Sequence, residues 1–319
     1  MSKDLCVGIE ETIGDTPLVG LPRWAARHGR DDVRVWAKME SFNPGGSAKD
    51  RSAHAMVEAA RARGDLTEGT TVVESSSGNL GVAMSREAVL GGFSFVCVVD
   101  PRTNDSTIAR MRAYGAQVEM ITEPDPATGD WLTARRTRVA ELLDEIEDSL
   151  WLDQYSNTAA FTAHEKTMGE IIDALGHDPS DVYVAVSTAG TVGGCLRRTA
   201  GTPTRVHAVD AEGSVLYGGA RGVRQLPGYG AGVVTELSKQ ETPDVVSRIS
   251  ALEAIEAARE LGRCEAILPG ASGGAVMSAL AKDFDSFAPG SDIVAILHDD
   301  GAAYTNTIYN DDWVKELRS

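Results

Sequence analysis

Short, mostly apolar runs alternate with helix-period segments along this chain, and that alternation restricts the fold more than any single residue does. Val33–Met39, Phe93–Val99, Val182–Val186, Val206–Asp210 and Asp292–Leu297 read as strands, with Val72–Glu74 as a strand end and Gln117–Ile121 as a shorter one. Between them, Lys49–Arg63, a segment from about Asn79, Asn104–Tyr114, Asp130–Glu147, Gly190–Thr199, Ala251–Leu261 and Ser272–Phe284 read as helices. Strands that alternate with helices imply parallel sheets covered on both faces. The rhythm occurs in two blocks that meet near Leu150–Thr158, so the expected fold is α/β with two domains and mostly parallel sheets. The stretch Ala211–Val245 has seven glycines and no clear period; at that length it reads as a functional loop.

Composition excludes several classes. At 319 residues there is room for two domains of ordinary size. The longest apolar runs are strand-length, which predicts no membrane span. Asp4, Glu10, Glu11 and Asp15 interrupt the first thirty positions, so no signal peptide is expected. Cys6, Cys97, Cys195 and Cys264 lie far apart, with no Cys-x-x-Cys pair, and this predicts buried thiols in a cytoplasmic protein rather than a metal site or a disulfide framework. A net charge of -17 argues against nucleic acid as a partner. An anionic ligand would need a local positive site.

Four loops carry the chemistry. In Asn43-Pro44-Gly45-Gly46-Ser47-Ala48-Lys49-Asp50-Arg51 a tight turn sets Lys49 at the start of a helix. The helix dipole disfavours a positive charge there, so Lys49 is a candidate for a depressed pKa and for Schiff-base chemistry. On position alone it reads rather as a solvated first-turn lysine, and the three further loops reverse that reading. In Glu74-Ser75-Ser76-Ser77-Gly78-Asn79-Leu80-Gly81, three hydroxyls precede a helix; one serine suffices as a cap, and three favour a bound carboxylate or phosphate. In Ser187-Thr188-Ala189-Gly190-Thr191-Val192-Gly193-Gly194, small residues let the backbone approach a phosphate. It is neither a Walker loop nor a Gly-x-Gly-x-x-Gly fingerprint. Pro269-Gly270-Ala271-Ser272-Gly273-Gly274-Ala275 reads as another strand-to-helix junction, and by itself as a glycine-rich turn with Ser272 as N-cap.

Taken together, in this order and spacing, the four loops resemble the cysteine synthase family of pyridoxal-phosphate enzymes, and the resemblance covers nearly the whole chain. It implies the tryptophan-synthase-β-like fold (fold type II), with a smaller mobile α/β domain over 45–152 and a larger α/β domain from 1–44 and 153–319. The chain further resembles the siderophore-type branch, which builds the precursor of 2,3-diaminopropionate. Glu74–Gly81, Cys97–Pro101, Tyr114–Met120, Trp151–Asn157, Val209–Val215, Leu226–Ala231 and Tyr309–Trp313 carry that closer likeness. Leu80, Ser187 and Ala189 depart from the usual cysteine synthase loops in the same direction.

The resemblance implies roles residue by residue. Lys49 would bind pyridoxal 5'-phosphate covalently and act as the base. Asn79 would contact the cofactor's phenolic oxygen, Ser187, Thr188, Ala189, Gly190 and Thr191 its phosphate, and Ser272 its ring nitrogen. Ser75, Ser76, Ser77, Gly78 and Gln154 would hold the amino-acid carboxylate. Arg135 and Tyr155 would serve the second substrate or the leaving group, although Arg135-Arg136-x-Arg138 also reads as a solvated helix face. His164 falls where the family often has a histidine, and reads as structural. The implied reaction is a β-replacement joining O-phospho-L-serine and L-glutamate, with sulfide or L-aspartate as rival nucleophiles and closure of the smaller domain to exclude water. A homodimer acting on small amino acids is implied. One departure is plain: the family's Gly-Glu/Asp-Arg-Tyr is here Gly301-Ala302-Ala303-Tyr304.

Overall fold

The computed structural model describes residues 5–318. Along the chain come β1 (Leu18–Gly20), α1 (Pro22–Arg27), β2 (Arg34–Met39), α2 (Lys49–Arg63), β3 (Thr71–Ser75), α3 (Asn79–Gly91), β4 (Ser94–Val99), α4 (Asp105–Ala113), β5 (Gln117–Met120), α5 (Trp131–Glu145) and β6 (Ser149–Leu150). The second half holds α6 (Ala159–Leu175), β7 (Asp181–Ala185), α7 (Gly190–Arg198), β8 (Arg205–Ala211), α8 (Glu236–Gln240), β9 (Val245–Ile249), α9 (Ala251–Glu265), α10 (Ala271–Asp283), β10 (Asp292–Leu297) and α11 (Asp311–Arg318). The fold is α/β with mostly parallel sheets, as the alternation predicts. The chain divides into two compact units, one of residues 49–160 and one of 5–48 with 161–318. No helix among the described residues is long and apolar enough to cross a membrane.

The smaller unit holds a four-stranded parallel sheet in the order β5-β4-β3-β6. Its central strands β3 and β4 are buried on both faces, which is why Phe93–Val99 reads as a continuous apolar run. Val72, Phe95, Cys97 and Val99 pack with Met56, Val57, Val82 and Met84 of α2 and α3. Their neighbours Val73, Val96 and Val98 point the other way, onto Val139 and Leu142 of α5. The larger unit has a six-stranded sheet in the order β1-β2-β10-β7-β8-β9. Only β1 runs antiparallel to its neighbour. Ala271, Ala275, Val276 and Leu280 of α10 are fully buried against that sheet and α9.

Several elements were not foreseen. Helix α6 carries buried Phe161, Met168 and Ile171 at helical spacing, a signal present in the sequence but passed over in the junction between blocks. The segment read as one long loop, Ala211–Val245, contains α8 and runs directly into edge strand β9. Its irregular part is packed inward by Leu216, Leu226 and Tyr229, all buried. The expectation of buried cysteines holds for Cys97 and Cys195; Cys264 is half-buried and Cys6 is exposed, because the N-terminal segment around it places Leu5 and Val7 in solvent as well.

Candidate active site

Three of the loops follow strands β2, β3 and β7 at their C-terminal ends, where parallel α/β sheets gather their ligands. The fourth, Pro269–Ala275, is not the strand-to-helix junction expected: it joins α9 to α10, and its extended backbone makes only an isolated bridge from Pro269 to Asp300. In the smaller unit, β3 ends at Ser75 and α3 begins at Asn79. Ser76 does the capping: its Oγ accepts from Gly81 N at 3.0 Å. Ser75 Oγ is buried with no hydrogen-bond partner, and Ser77, Gly78 and Asn79 are half-buried. So one serine caps and a second is left with an unused buried hydroxyl, which a ligand would satisfy.

That loop is wired to the segment after β6. Gln154 is buried and its Nε2 donates to Ser75 O at 2.9 Å. Glu74 accepts from Ser75 N at 2.8 Å, Trp151 Nε1 at 3.1 Å and Gln154 N at 3.3 Å. Glu74 opens the serine-rich motif, and no local sequence pattern marks this role. Complete burial pushes its carboxyl up to about 7 despite those three donors.

The run Arg135-Arg136-x-Arg138 has three fates. Arg138 is a surface residue, paired with Glu119, Glu141 and Glu145. Arg136 lies over the rings of Trp151 and Tyr155. Arg135 is buried, which corrects the alternative of a solvated face at that position. Its Nε stands 3.3 Å from Asp100 Oδ2, yet Nε and Nη1 make no hydrogen bond in the protein. Burial alone would push the Asp100 carboxyl up, but the Arg102 hydrogen bonds and the Arg135 charge leave it below the usual range. Tyr155 is buried and its phenol is pushed up to about 12, so it can donate a hydrogen bond but not act as a base near neutrality. The Cys97 thiol is likewise raised to about 12 by burial, which removes it as a nucleophile.

In the larger unit the turn that ends in Ala48 is built by side chains. Asn43 Nδ2 donates to Glu40 O at 2.9 Å and its Oδ1 accepts from Gly14 N at 2.9 Å. Gly46 takes the left-handed φ of 86° that the reversal requires. Half-buried Lys49 is the first residue of α2, as the turn chemistry predicts.

The loop after β7 works differently. Ala189 is the N-cap of α7 in left-handed geometry, with no side-chain cap. The first-turn N–H groups of a nine-residue helix are therefore left for a ligand. Thr188 and Thr191 are buried. Thr191 Oγ1 is 3.2 Å from His164 Nε2, and His164 Nδ1 is 3.1 Å from Thr167 Oγ1. The histidine thus orients a threonine of the loop. Gly193 and Gly194 serve packing: a methyl on Gly193 would enter the Phe161 ring, and one on Gly194 would lie 2.6 Å from Phe161 O. Ser187 Oγ donates to Gly230 O at 3.3 Å. Nearby, Gly228 stands beside Ser272, so the irregular stretch after β8 links the Ser187 loop to the Ser272 turn. Ser272 is buried in the first turn of α10; the N-cap is Gly270, not Ser272.

In the larger unit, the uncapped N-terminus of α7 among buried hydroxyls suits a phosphate, and the buried Ser272 hydroxyl suits a ring nitrogen. In the smaller unit, a half-buried lysine at a helix start suits an aldehyde. The family model described as "Pyridoxal-phosphate dependent enzyme" matches residues 9–299. This chain belongs to that family. It is a pyridoxal-phosphate dependent enzyme, and pyridoxal 5'-phosphate is its cofactor.

Solved structures of other members lie close to it. An O-ureido-L-serine synthase superposes with a TM-score of 0.87 at 29% identity, over 99% of this chain and 100% of that one. An O-acetylserine dependent cystathionine beta-synthase from Helicobacter pylori gives 0.86 at 26%, over 96% and 99%. A hydrogen sulfide-producing enzyme from Fusobacterium nucleatum gives 0.84 at 26%, over 94% and 100%.

Proposed function

We propose that this pyridoxal-phosphate dependent enzyme carries out β-replacement on an activated L-serine, joining O-phospho-L-serine to the α-amino group of L-glutamate. The Cβ–O bond breaks and phosphate leaves. A C–N bond forms at the same carbon, and the amine gives up a proton. The observation that carries this reading is Arg135, a buried guanidinium with two nitrogens unclaimed by hydrogen bonds, in the same unit as the Ser75–Gly78 loop. In a protein with a net charge of -17, a phosphate leaving group or an acidic acceptor needs such a cation.

The bound cofactor supplies an electron sink that lets the α-proton and the β-substituent leave. Lys49 is assigned its attachment and the transfer of the α-proton. The N–H groups that open α7, with Ser187, Thr188 and Thr191, are assigned the phosphate. Asn79 is assigned the phenolic oxygen. Ser272 offers the ring nitrogen a neutral hydroxyl, which cannot hold it protonated as a carboxylate would. Ser76, Ser77 and Gln154, with the unsatisfied Ser75 hydroxyl, are assigned the substrate carboxylate. Tyr155 is assigned a hydrogen bond to the leaving group or acceptor.

A second reading, with a sulfur nucleophile, is favoured by two of the structural relatives, one named for hydrogen sulfide production and one for cystathionine synthesis. Incubation with O-phosphoserine and a panel of L-glutamate, L-aspartate and sulfide, with mass detection, separates the two. An adduct of phosphoserine and glutamate is the expected product. Efficient turnover of O-acetylserine with sulfide, with no amine adduct, would sink the first reading and promote the second.

A further inference from the structure

The stretch that leaves β10, residues 298–304, is tied to two loops that carry proposed cofactor residues. Ala48 N donates to His298 O at 2.8 Å, and Ser47 forms an antiparallel bridge with Asp299. On the other side Gly270 N donates to Asp299 O at 3.3 Å, Gly301 N to Leu268 O at 2.7 Å, and Pro269 bridges Asp300. One short stretch thus holds the residue before Lys49 and the turn that bears Ser272.

Two side chains of that stretch fill the space under the turn. Asp299 is buried and its Oδ2 accepts from Tyr304 Oη at 2.9 Å. A methyl on Gly270 would collide with Asp299 Oδ1 and lie 2.9 Å from Tyr304 Cε2. A methyl on Gly228 would lie 3.4 Å from Tyr304 Oη and 3.8 Å from Ser272 Cβ. The phenol and Ser272 therefore both border the backbone at Gly228. Burial, then the Asp299 charge, pushes the phenol's pKa well above the usual value and keeps it a donor. Gly270 has no side chain to lock the turn, so the carboxylate and phenol beneath it take that task. Ala302 and Ala303 stand where the resembling family has a charged pair, which leaves Tyr304 as the polar side chain of that motif.

We infer that Asp299 and Tyr304 are positioning residues that hold the Ser272 hydroxyl in register with the cofactor ring. The inference rests on the reading of Ser272 as the partner of the ring nitrogen. Neither residue is assigned contact with the reacting atoms; both act through the turn. A hydroxyl displaced by a few tenths of an ångström loses the directionality of its hydrogen bond.

A double-mutant cycle tests this. Cofactor affinity by equilibrium titration and the visible absorption band are measured for Ser272→Ala, Tyr304→Phe and the pair, with melting of the cofactor-free proteins alongside. Tyr304→Phe should weaken cofactor binding about tenfold and move the band as Ser272→Ala does, with the double variant no worse than the weaker single. Additive losses would overturn the inference. So would a Tyr304→Phe protein that melts lower with affinity and band unchanged. If Ser272→Ala itself moves neither readout, the Ser272 assignment falls; if it moves both while Tyr304→Phe adds independently, this inference alone falls. Should Tyr304→Phe not fold, Asp299→Asn, which keeps a carbonyl acceptor for the phenol, enters the same cycle with a smaller expected loss.

Discussion

The loops after β3 and β7 share one plan, a parallel strand running through small residues into a helix N-terminus, yet they are held in place by opposite means. The β3 loop is wired through side chains. Glu74 gathers three N–H donors, Ser76 caps α3, and Gln154 reaches back to Ser75 O. Buried ionisable groups surround it: Glu74, Asp100 and Arg135. The β7 loop is held by backbone and by close approach of helices, with Gly193 and Gly194 against Phe161 and His164. Its polar side chains are hydroxyls and one histidine. Similar local geometry can therefore serve two chemistries. A loop that leaves its N–H groups bare suits a fixed dianion, while one rich in charge and adaptable side chains suits substrates that come and go.

The contrast breaks first at the glycines. Gly194→Ala should cost about 3–4 kcal/mol, because its methyl meets backbone atoms of α6 at 2.6 and 2.7 Å that cannot yield. Gly81→Ala should cost about half as much, since its obstacles are the Met111 and Cys97 sulfurs, and Met111 at least can rotate away. Chemical denaturation of the two variants measures the ratio; equal costs would erase the distinction between backbone-held and side-chain-held loops.

Glu74 gives the next largest effect, as a pH dependence. Burial raises its pKa from an ordinary 4.5 to about 7, so the folded chain holds the proton more tightly than the unfolded one. Its stabilising contribution is fully present below about 4.5 and is lost as pH rises through 7. The span is about 3 kcal/mol. Melting curves of the wild type and Glu74→Gln from pH 5 to 8 should differ in slope, with the wild type losing stability toward pH 8 relative to the variant. Parallel curves would mean that Glu74 is not the titrating group.

Arg135→Ala comes third. It should lower catalytic efficiency by about one to two decades while the absorption of the bound cofactor stays intact, the size expected for one charge-assisted hydrogen bond. Arg135→Lys should recover part of the loss by restoring the charge without the fork. Steady-state kinetics beside the visible spectrum checks both.

The smallest effect lies in the β7 loop. Ala189 sits at φ 74°, where an alanine pays about 1–2 kcal/mol and glycine little. Ala189→Gly relieves that strain but frees the unfolded chain, so the net gain should be under about 1 kcal/mol. A measured loss of stability would show that the alanine methyl packs usefully.

Much of this was legible from residue order. The strands Phe93–Val99 and Asp292–Leu297 were readable because burial on both faces leaves an unbroken apolar run. The helix starts at Lys49, Asn79 and Gly190 were readable because turn and cap chemistry is local. Helix α6 escaped because its start lies in the irregular junction between the two blocks, although Asn157 Oδ1 accepts from Ala159 N there. Strand β9 escaped because it is a half-buried edge strand, with Ser247 and Arg248 in place of an apolar run. The division of labour within Arg135-Arg136-x-Arg138 was out of reach, since three charged neighbours on one helix look alike until the packed sheet buries one of them.

By itself, the sequence determined the α/β alternation, the placement of three of the four loops after strands and the lysine that opens α2, because these depend on periodicity and on turn preferences within a few residues. Only the tertiary structure decided that Glu74 would knit Trp151 and Gln154 to the β3 loop, that His164 would orient Thr191, and that Asp299 and Tyr304 would lie beneath the Ser272 turn. Burial and hydrogen bonding between distant positions come from how the chain packs, and no short-range pattern encodes them.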